Sequence, residues 1–209
     1  MNGLHWNKPT LIDMEAYRHS AVVIPLIEGE KGYEVLFEVR SRGLRHQPGE
    51  ICLPGGGCDP GETPEEGARR EICEELLISE KQIELEAPMD IFVSPFNMII
   101  YPYLGILKDY EYTYSQDEVH EVFKVPLDYF LSNEPKVYYN EVYTEPPIDF
   151  PWDKVQGGRN YRWNNGKYKV LFYEYGGRVI WGITARIMNG AIKTMKRAGW
   201  RTNEETEKA

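Results

Sequence analysis

The segment from Gly55 to Ile78 restricts what this chain can fold into more than any other part of it. Gly55-Gly56-Gly57 closes a short apolar stretch, and Thr63-Pro64-Glu65-Glu66 follows six residues later. An N-cap threonine, a proline at the first helical position and a glutamate at the third form a capping box. They predict a helix over 63–77. At about 100° per residue, Ala68, Ile72 and Leu76 make an apolar stripe suited to packing on a sheet. Glu71, Glu74 and Glu75 fall on the neighbouring arc. Glu71 and Glu75 repel each other across one turn by about 0.2–0.5 kcal/mol, and Gly67 costs the helix about 1 kcal/mol relative to alanine. The helpful i,i+4 pairs, Glu65/Arg69 and Glu66/Arg70, sit near the amino end, which leaves Arg70 as the one cation within a turn of the later glutamates. A solvated glutamate-rich face is one reading. The other is a cluster of oxygen donors for a hard divalent cation, Mg²⁺ or Mn²⁺. A glycine triplet just upstream, able to bring backbone close to a ligand, favours the second.

Charge bears on what such a site could bind. With 24 Lys+Arg against 33 Asp+Glu, the 209 residues carry a formal charge of −9. An acidic balance argues against duplex nucleic acid as a partner, but a phosphorylated substrate remains compatible if cations are recruited locally. Arg40, Arg42, Arg45 and His46 form the densest positive patch, directly before the glycines. Guanidinium groups suit phosphate oxygens; a solvated edge strand and turn is the plainer explanation. The length fits one domain with an elaborated insertion. No apolar run reaches the roughly 20 residues of a membrane-spanning helix, and the amino-terminal residues lack a signal-peptide core. Cys52, Cys58 and Cys73 show no zinc-ligand spacing and read as reduced packing thiols in a cytoplasmic protein.

Around the glutamate helix, strands are expected over 20–28, 33–40 and 51–54, then within 83–93, 98–107 and 118–125. A short helix is expected at 126–131. Residues 132–167, rich in Tyr, Pro, Asn and Gly, read as an irregular insertion. A hairpin over 167–175 and 178–181, a helix over 183–197 and a frayed tail at 202–209 complete the chain. Strands around one strong helix and one terminal helix give an α+β class, an α/β/α sandwich.

Gly56, five residues, Glu62, seven residues, then Arg70-Glu71-Ile72-Cys73-Glu74-Glu75-Leu76-Leu77-Ile78 closely resembles the signature of the Nudix hydrolase family. Every position matches except the final glycine, here Leu77, which bears on the helix exit and leaves the glutamates intact. The resemblance implies a Nudix-type sandwich with a mixed β-sheet, the metal-binding helix following a Gly-rich loop. It also implies hydrolysis of a nucleoside diphosphate derivative with Mg²⁺ or Mn²⁺. Glu71 and Glu75 would be the principal metal ligands, Glu74 an additional or water-mediated one, and the Gly56 carbonyl a further donor. Arg70 would orient the glutamates and Glu62 would steady the loop.

A second resemblance lies upstream. Arg40-Ser41-Arg42, Leu44-Arg45 and Gly49, leading through Ile51 to Leu53-Pro54-Gly55-Gly56, is similar to the extended motif of the coenzyme A diphosphatase branch, with Glu50 where that branch usually has glutamine. Segments at 117–127 and 180–185 are similar to the same branch. By this resemblance Arg40, Arg42, Arg45, Gly55 and Gly56 would bind substrate. The expected reaction is cleavage of coenzyme A or its thioesters to 3′,5′-ADP and 4′-phosphopantetheine or its acyl form. Alternatives are hydrolysis of ADP-ribose or another nucleoside diphosphate derivative, and a non-catalytic nucleotide sensor. Glu118, and less so Glu121, are candidates for a further carboxylate acting as ligand or general base; a surface glutamate is the competing reading for each. Tyr138, Tyr139, Tyr143, Tyr161 and Tyr168 could contact ligand, pack on one another, or form a subunit contact, which leaves a homodimer open.

Overall fold

A computed structural model of the chain describes residues 11–201. Its elements in order are β1 (Arg18–Gly29), β2 (Gly32–Arg40), β3 (Ile51–Cys52), β4 (Gly55–Gly57), α1 (Pro64–Leu76), β5 (Ile83–Pro88), β6 (Phe92–Ser94), β7 (Met98–Leu107), β8 (Val119–Pro126), α2 (Leu127–Ser132), β9 (Lys136–Val142), β10 (Gly166–Tyr175), β11 (Arg178–Trp181) and α3 (Gly182–Arg197). The tail expected at 202–209 lies outside the described residues.

Strand alternation sorts the apolar side chains of β1 and β2 onto two faces. Ala21, Val23 and Leu36 bury against Ala68, Ile72 and Leu76 of α1, the stripe anticipated from the helical period. Ile24, Leu26, Val35 and Phe37 face the other way, into a larger cluster with Phe130 of α2 and Met188 and Ile192 of α3. Helices therefore cover both faces of one sheet, and the layers are α/β/α. The sheet is mixed: β3-β2-β1-β7-β5 in order, with β8 on β2, β4 on β1 and β6 on β7. β1 and β7 run parallel, Arg18 beside Met98 through Leu26 beside Ile106, and the other pairs within this sheet are antiparallel.

Two regions depart from the sequence expectation. Gly55-Gly56-Gly57, expected as a Gly-rich loop, is the strand β4, paired with Ser20–Val22 of β1. Within the Tyr/Pro-rich segment, β9 pairs antiparallel with β10, so that β9, β10 and β11 form a separate three-stranded sheet. The intervening residues 143–165 are held by aromatic contacts, Phe150 with Trp152 at 4.8 Å and Tyr161 with Trp163 at 5.0 Å between ring centroids. No helix among the described residues is long and apolar enough to cross a membrane.

Candidate active site

The helix α1 begins as its sequence dictates. The Glu66 side chain accepts from Thr63 N–H at 2.8 Å while Thr63 Oγ1 accepts from Glu66 N–H at 3.3 Å. Glu66 is thereby committed to the cap and does not pair with Arg70 as the i,i+4 spacing allowed. Arg70 reaches back to Glu62 instead, Nε to Oε1 at 3.0 Å. Glu62 also accepts from Asp59 N–H at 2.8 Å, which ties the loop to the helix. The same guanidinium donates to the Gly57 carbonyl at 2.9 Å, to Glu71 Oε1 at 2.8 Å and to Glu74 Oε2 at 3.3 Å. Arg70 is the hub of this network, and its carboxylate partners hold its proton more firmly than usual.

The far end of α1 is less conventional. Leu77, where the family signature has glycine, adopts a left-handed conformation (φ 52°, ψ 44°) and caps the helix. A leucine there costs about 1–2 kcal/mol. The loop before β8 compensates by taking up carbonyls that the helix end leaves free. Thr113 Oγ1 donates to Leu76 O at 2.7 Å, and Ser115 N–H donates to Glu75 O at 2.8 Å. The last turn contains no basic residue, so the dipole of α1 opposes the carboxylates placed near its carboxyl end.

Glycine is required where β4 meets this helix. Gly55 has φ 145°, and a Cβ on it would lie 2.2 Å from the Ala21 carbonyl oxygen. A Cβ on Gly56 would lie 2.4 Å from Glu71 Oε2. The glycine backbone thus lies directly against the carboxylates of α1. Gly55 N–H donates to Glu75 Oε2 at 2.7 Å, and Glu75 is 2% exposed. Burial, then the charge of Glu38, pushes the Glu75 carboxyl up to about 10 from an ordinary 4.5. Burial also raises Glu71, against the pull of Arg70.

Glu38 was absent from the sequence expectation. It lies on β2, is 1% exposed, and is pushed up to about 7 by burial, with the Cys52 thiol the largest opposing influence. Cys52 Sγ donates to its Oε1 at 3.2 Å. The one available signal was a lone charged residue inside the buried run Val35-Leu36-Phe37, on the face that Leu36 presents to α1. Burial pushes Cys52, Cys58 and Cys73 upward as well, which suits inert packing thiols; all three are free.

The remaining candidates divide by position. Glu118 is an exposed residue just before β8, close enough to raise both Glu71 and Glu75. Glu121 is ion-paired with Arg178 and committed elsewhere. Arg40, Gly55 and Gly56 line a cleft floored by Ile51, Leu53 and Ile100 and closed by Ile183 and Thr184 of α3. Arg42 and Arg45 are exposed in the loop 41–50 and do not line that cleft. Tyr138 packs edge-on to Phe172 and Tyr168 on Phe96, while Tyr139 and Tyr143 are exposed; none of the five tyrosines lines the cleft.

Among the described residues no three Asp, Glu, His or Cys side chains converge into a ready-made cation cage. The donor set nonetheless fits a hard divalent ion. It consists of carboxylates, two of them deeply buried and pushed toward neutrality chiefly by that burial, a state that a cation would relieve. Glu71 and Glu74 are held by Arg70 and Glu75 by Gly55 N–H, so these contacts would be exchanged for metal–oxygen bonds.

A glycine strand set against a capped glutamate helix on a mixed α/β/α sandwich defines a class, and the chain belongs to it: the NUDIX domain model matches residues 17–142, placing this protein in the Nudix family. The chain is 39% identical over 133 residues to the peroxisomal coenzyme A diphosphatase NUDT7 of Mus musculus, covering 62% of this chain and 55% of that protein. It is 28% identical over 195 residues to Nudix hydrolase 3 of Caenorhabditis elegans, covering 88% and 76%. To the peroxisomal coenzyme A diphosphatase ndx-8 of the same nematode it is 34% identical over 110 residues, covering 51% and 47%. The chain thus spans about half the length of the two coenzyme A diphosphatases. A MutT/nudix family protein from Enterococcus faecalis shares the fold, with a TM-score of 0.51 and 16% identity over 90% of this chain and 66% of that one.

Proposed function

We propose that this protein is a metal-dependent diphosphatase that hydrolyses coenzyme A or its thioesters to 3′,5′-ADP and 4′-phosphopantetheine or its acyl form. The observation that carries the reading is the placement of Arg40 in the same cleft as Gly55 and Gly56, against which the carboxylates of α1 are packed. Likeness to two coenzyme A diphosphatases supports the substrate class.

Glu71, Glu75 and Glu74 would hold Mg²⁺ or Mn²⁺, with the Gly56 carbonyl as a further donor. When bound, the cation neutralises the diphosphate, lowers the pKa of water and stabilises the departing phosphate. Arg40 presents a guanidinium to the phosphate oxygens from the strand side of the cleft. Arg70 fixes the rotamers of Glu71 and Glu74 through its own bonds to Glu62 and the Gly57 carbonyl. Glu118, exposed beside the cluster, can accept the proton of an attacking water. One water is consumed, one phosphorus–oxygen anhydride bond breaks, and each product retains one phosphate of the diphosphate. Ile183, Thr184 and Ile187 of α3 line one side of the cleft. A reducing compartment such as the cytoplasm accords with the three free thiols.

The test is a panel of coenzyme A, acetyl-coenzyme A, 3′-dephospho-coenzyme A and ADP-ribose, with Mg²⁺ or Mn²⁺ and products identified by mass spectrometry. Preference for substrates bearing the 3′-phosphate is expected. Efficient cleavage of ADP-ribose with coenzyme A left intact would overturn the substrate assignment, and binding without turnover of any member would overturn catalysis.

A further inference from the structure

β2 carries a feature that lies outside the signature on α1. Leu36 packs under α1, so the alternation of the strand directs Glu38 to the same side, while Arg40 follows an irregularity in the pairing with β8 and lines the cleft. Both end in orphaned atoms. With the carboxyls ionised, Glu38 Oε2 and Arg40 Nε are buried without any hydrogen-bond partner, and a bond between Glu38 and Glu75 requires a proton on one of them. The two residues sense each other electrostatically, yet no ion pair joins them among the described residues. A buried carboxylate that passes over an adjacent guanidinium is expensive. The position tolerates that cost while its strand neighbours Val35, Leu36 and Phe37 are wholly apolar and fully buried.

What Glu38 faces is Glu75. The two side chains lie within hydrogen-bonding reach of each other, one from β2 and one from α1. Gly55 N–H occupies one oxygen of Glu75, and the Cys52 thiol occupies one oxygen of Glu38. Each carboxyl therefore retains an oxygen not taken by these donors. The pair has two buried acids, two neutral donors and no cation in hydrogen-bond contact. Buried anions of this kind are found paired or coordinating metal, and Arg40, the cation at hand, lies instead along the cleft where phosphate would bind.

We propose that Glu38 is a carboxylate of the divalent-cation site, supplied by the sheet from beneath Glu75 rather than by α1. The inference rests on the metal-dependent reading given above. On this view β2 serves both halves of the bound ion pair: Glu38 for the cation and Arg40, two residues on, for the diphosphate. The site is then built by two elements, so its affinity depends on the register of β2 against α1 as well as on the helix.

The experiment measures Mn²⁺ binding to the chelator-stripped 209-residue chain, by loss of the free-ion paramagnetic resonance signal, with no substrate present. Glu38→Gln should raise the Mn²⁺ dissociation constant about 10–100-fold, the size of effect seen when groups supporting metal ligands are removed. Glu38→Asp should give an intermediate value, because it keeps the charge and withdraws the oxygens by one methylene. Glu84→Gln, on the exposed pair with Lys108, controls for general loss of negative charge and should leave binding unchanged. Melting in chelator reports whether each variant is folded; should Glu38→Gln unfold, Glu38→Asp carries the same measurement. Mn²⁺ affinity within twofold of the unaltered chain in a folded Glu38→Gln or Glu38→Asp protein overturns the inference and leaves the metal-dependent reading standing. Failure of the unaltered chain to bind Mn²⁺ overturns both.

Discussion

The metal-ligand role proposed for Glu75 sets function against stability, and the stability side of that opposition can be measured in the metal-free protein. The side chain is 2% exposed and its carboxyl is pushed up to about 10 from an ordinary 4.5. A raised carboxyl retains in the folded state a proton that the unfolded chain has released. Its contribution is therefore fully present below pH 4.5 and is lost as pH rises toward the folded value. At pH 7 the unfolded chain gains two and a half pH units of free ionisation, at about 1.4 kcal/mol each, or about 3 kcal/mol in all. Any folded value above 7 gives the same figure at that pH. Glutamine copies the protonated acid in shape and in its hydrogen-bonding capacity toward Glu38, without that linkage. Glu75→Gln in EDTA should thus be more stable than the unaltered protein at pH 7 by up to about 3 kcal/mol. For a chain of this length that corresponds to a rise in Tm of about 6–12 °C. Urea unfolding at pH 4.5, 6 and 7 in chelator checks it, with the advantage shrinking toward zero at pH 4.5. A variant that is less stable at pH 7, or whose advantage does not change with pH, would refute the account of Glu75 as a buried acid held out of its preferred charge state. The same variant should bind Mn²⁺ poorly.

The backbone and the loop before β8 yield further expectations. Gly56→Ala drives a Cβ to within 2.4 Å of the Glu71 carboxylate and should weaken Mn²⁺ binding at least tenfold with the melting temperature lowered by only a few degrees, as read by metal titration and circular dichroism together. Leu77→Gly relieves about 1–2 kcal/mol of left-handed strain at a side chain that is 60% exposed, against about 0.5–1 kcal/mol of added chain entropy in the unfolded state. A net gain of up to about 1.5 kcal/mol in urea unfolding is expected, and a net loss would contradict the strain assigned to Leu77. Thr113→Val leaves the Leu76 carbonyl without its hydroxyl donor and should cost about 1 kcal/mol in the same assay, with Thr113→Ser restoring most of it.

The start of α1 was legible because its determinants are local. A cap, a proline and a glutamate three residues on act within one turn, and the Ala68/Ile72/Leu76 stripe follows from the helical period alone. β7 and β11 likewise occur where apolar, β-branched runs placed them. β9 was missed because six of its seven residues are exposed, so no alternation of burial marks it. Gly55-Gly56-Gly57 read as a loop because glycine carries no strand signal of its own; its extended form is imposed by pairing with β1. Glu66 and Arg70 satisfied a helical pairing rule and obeyed other partners, the cap and Glu62, since the loop 58–62 folds back over the helix face.

Sequence alone determined the chemistry on offer: a capped helix bearing Glu71, Glu74 and Glu75 at fixed spacing, preceded by glycines and by arginines in an acidic chain. Spacing suffices there because neighbours on one helix are neighbours in space. Which of the upstream arginines reaches the cleft was decided by the tertiary structure, which sets Arg40 at the end of β2 and leaves Arg42 and Arg45 on the exposed loop. So was the partnership of Glu38 with Glu75, residues 37 positions apart in sequence. A strand covered by helices on both faces is apolar on both, so its sequence cannot say which face looks toward α1; only the packed sheet turns Glu38 inward, under α1, and gives Glu75 the burial and the charged neighbour that shift it.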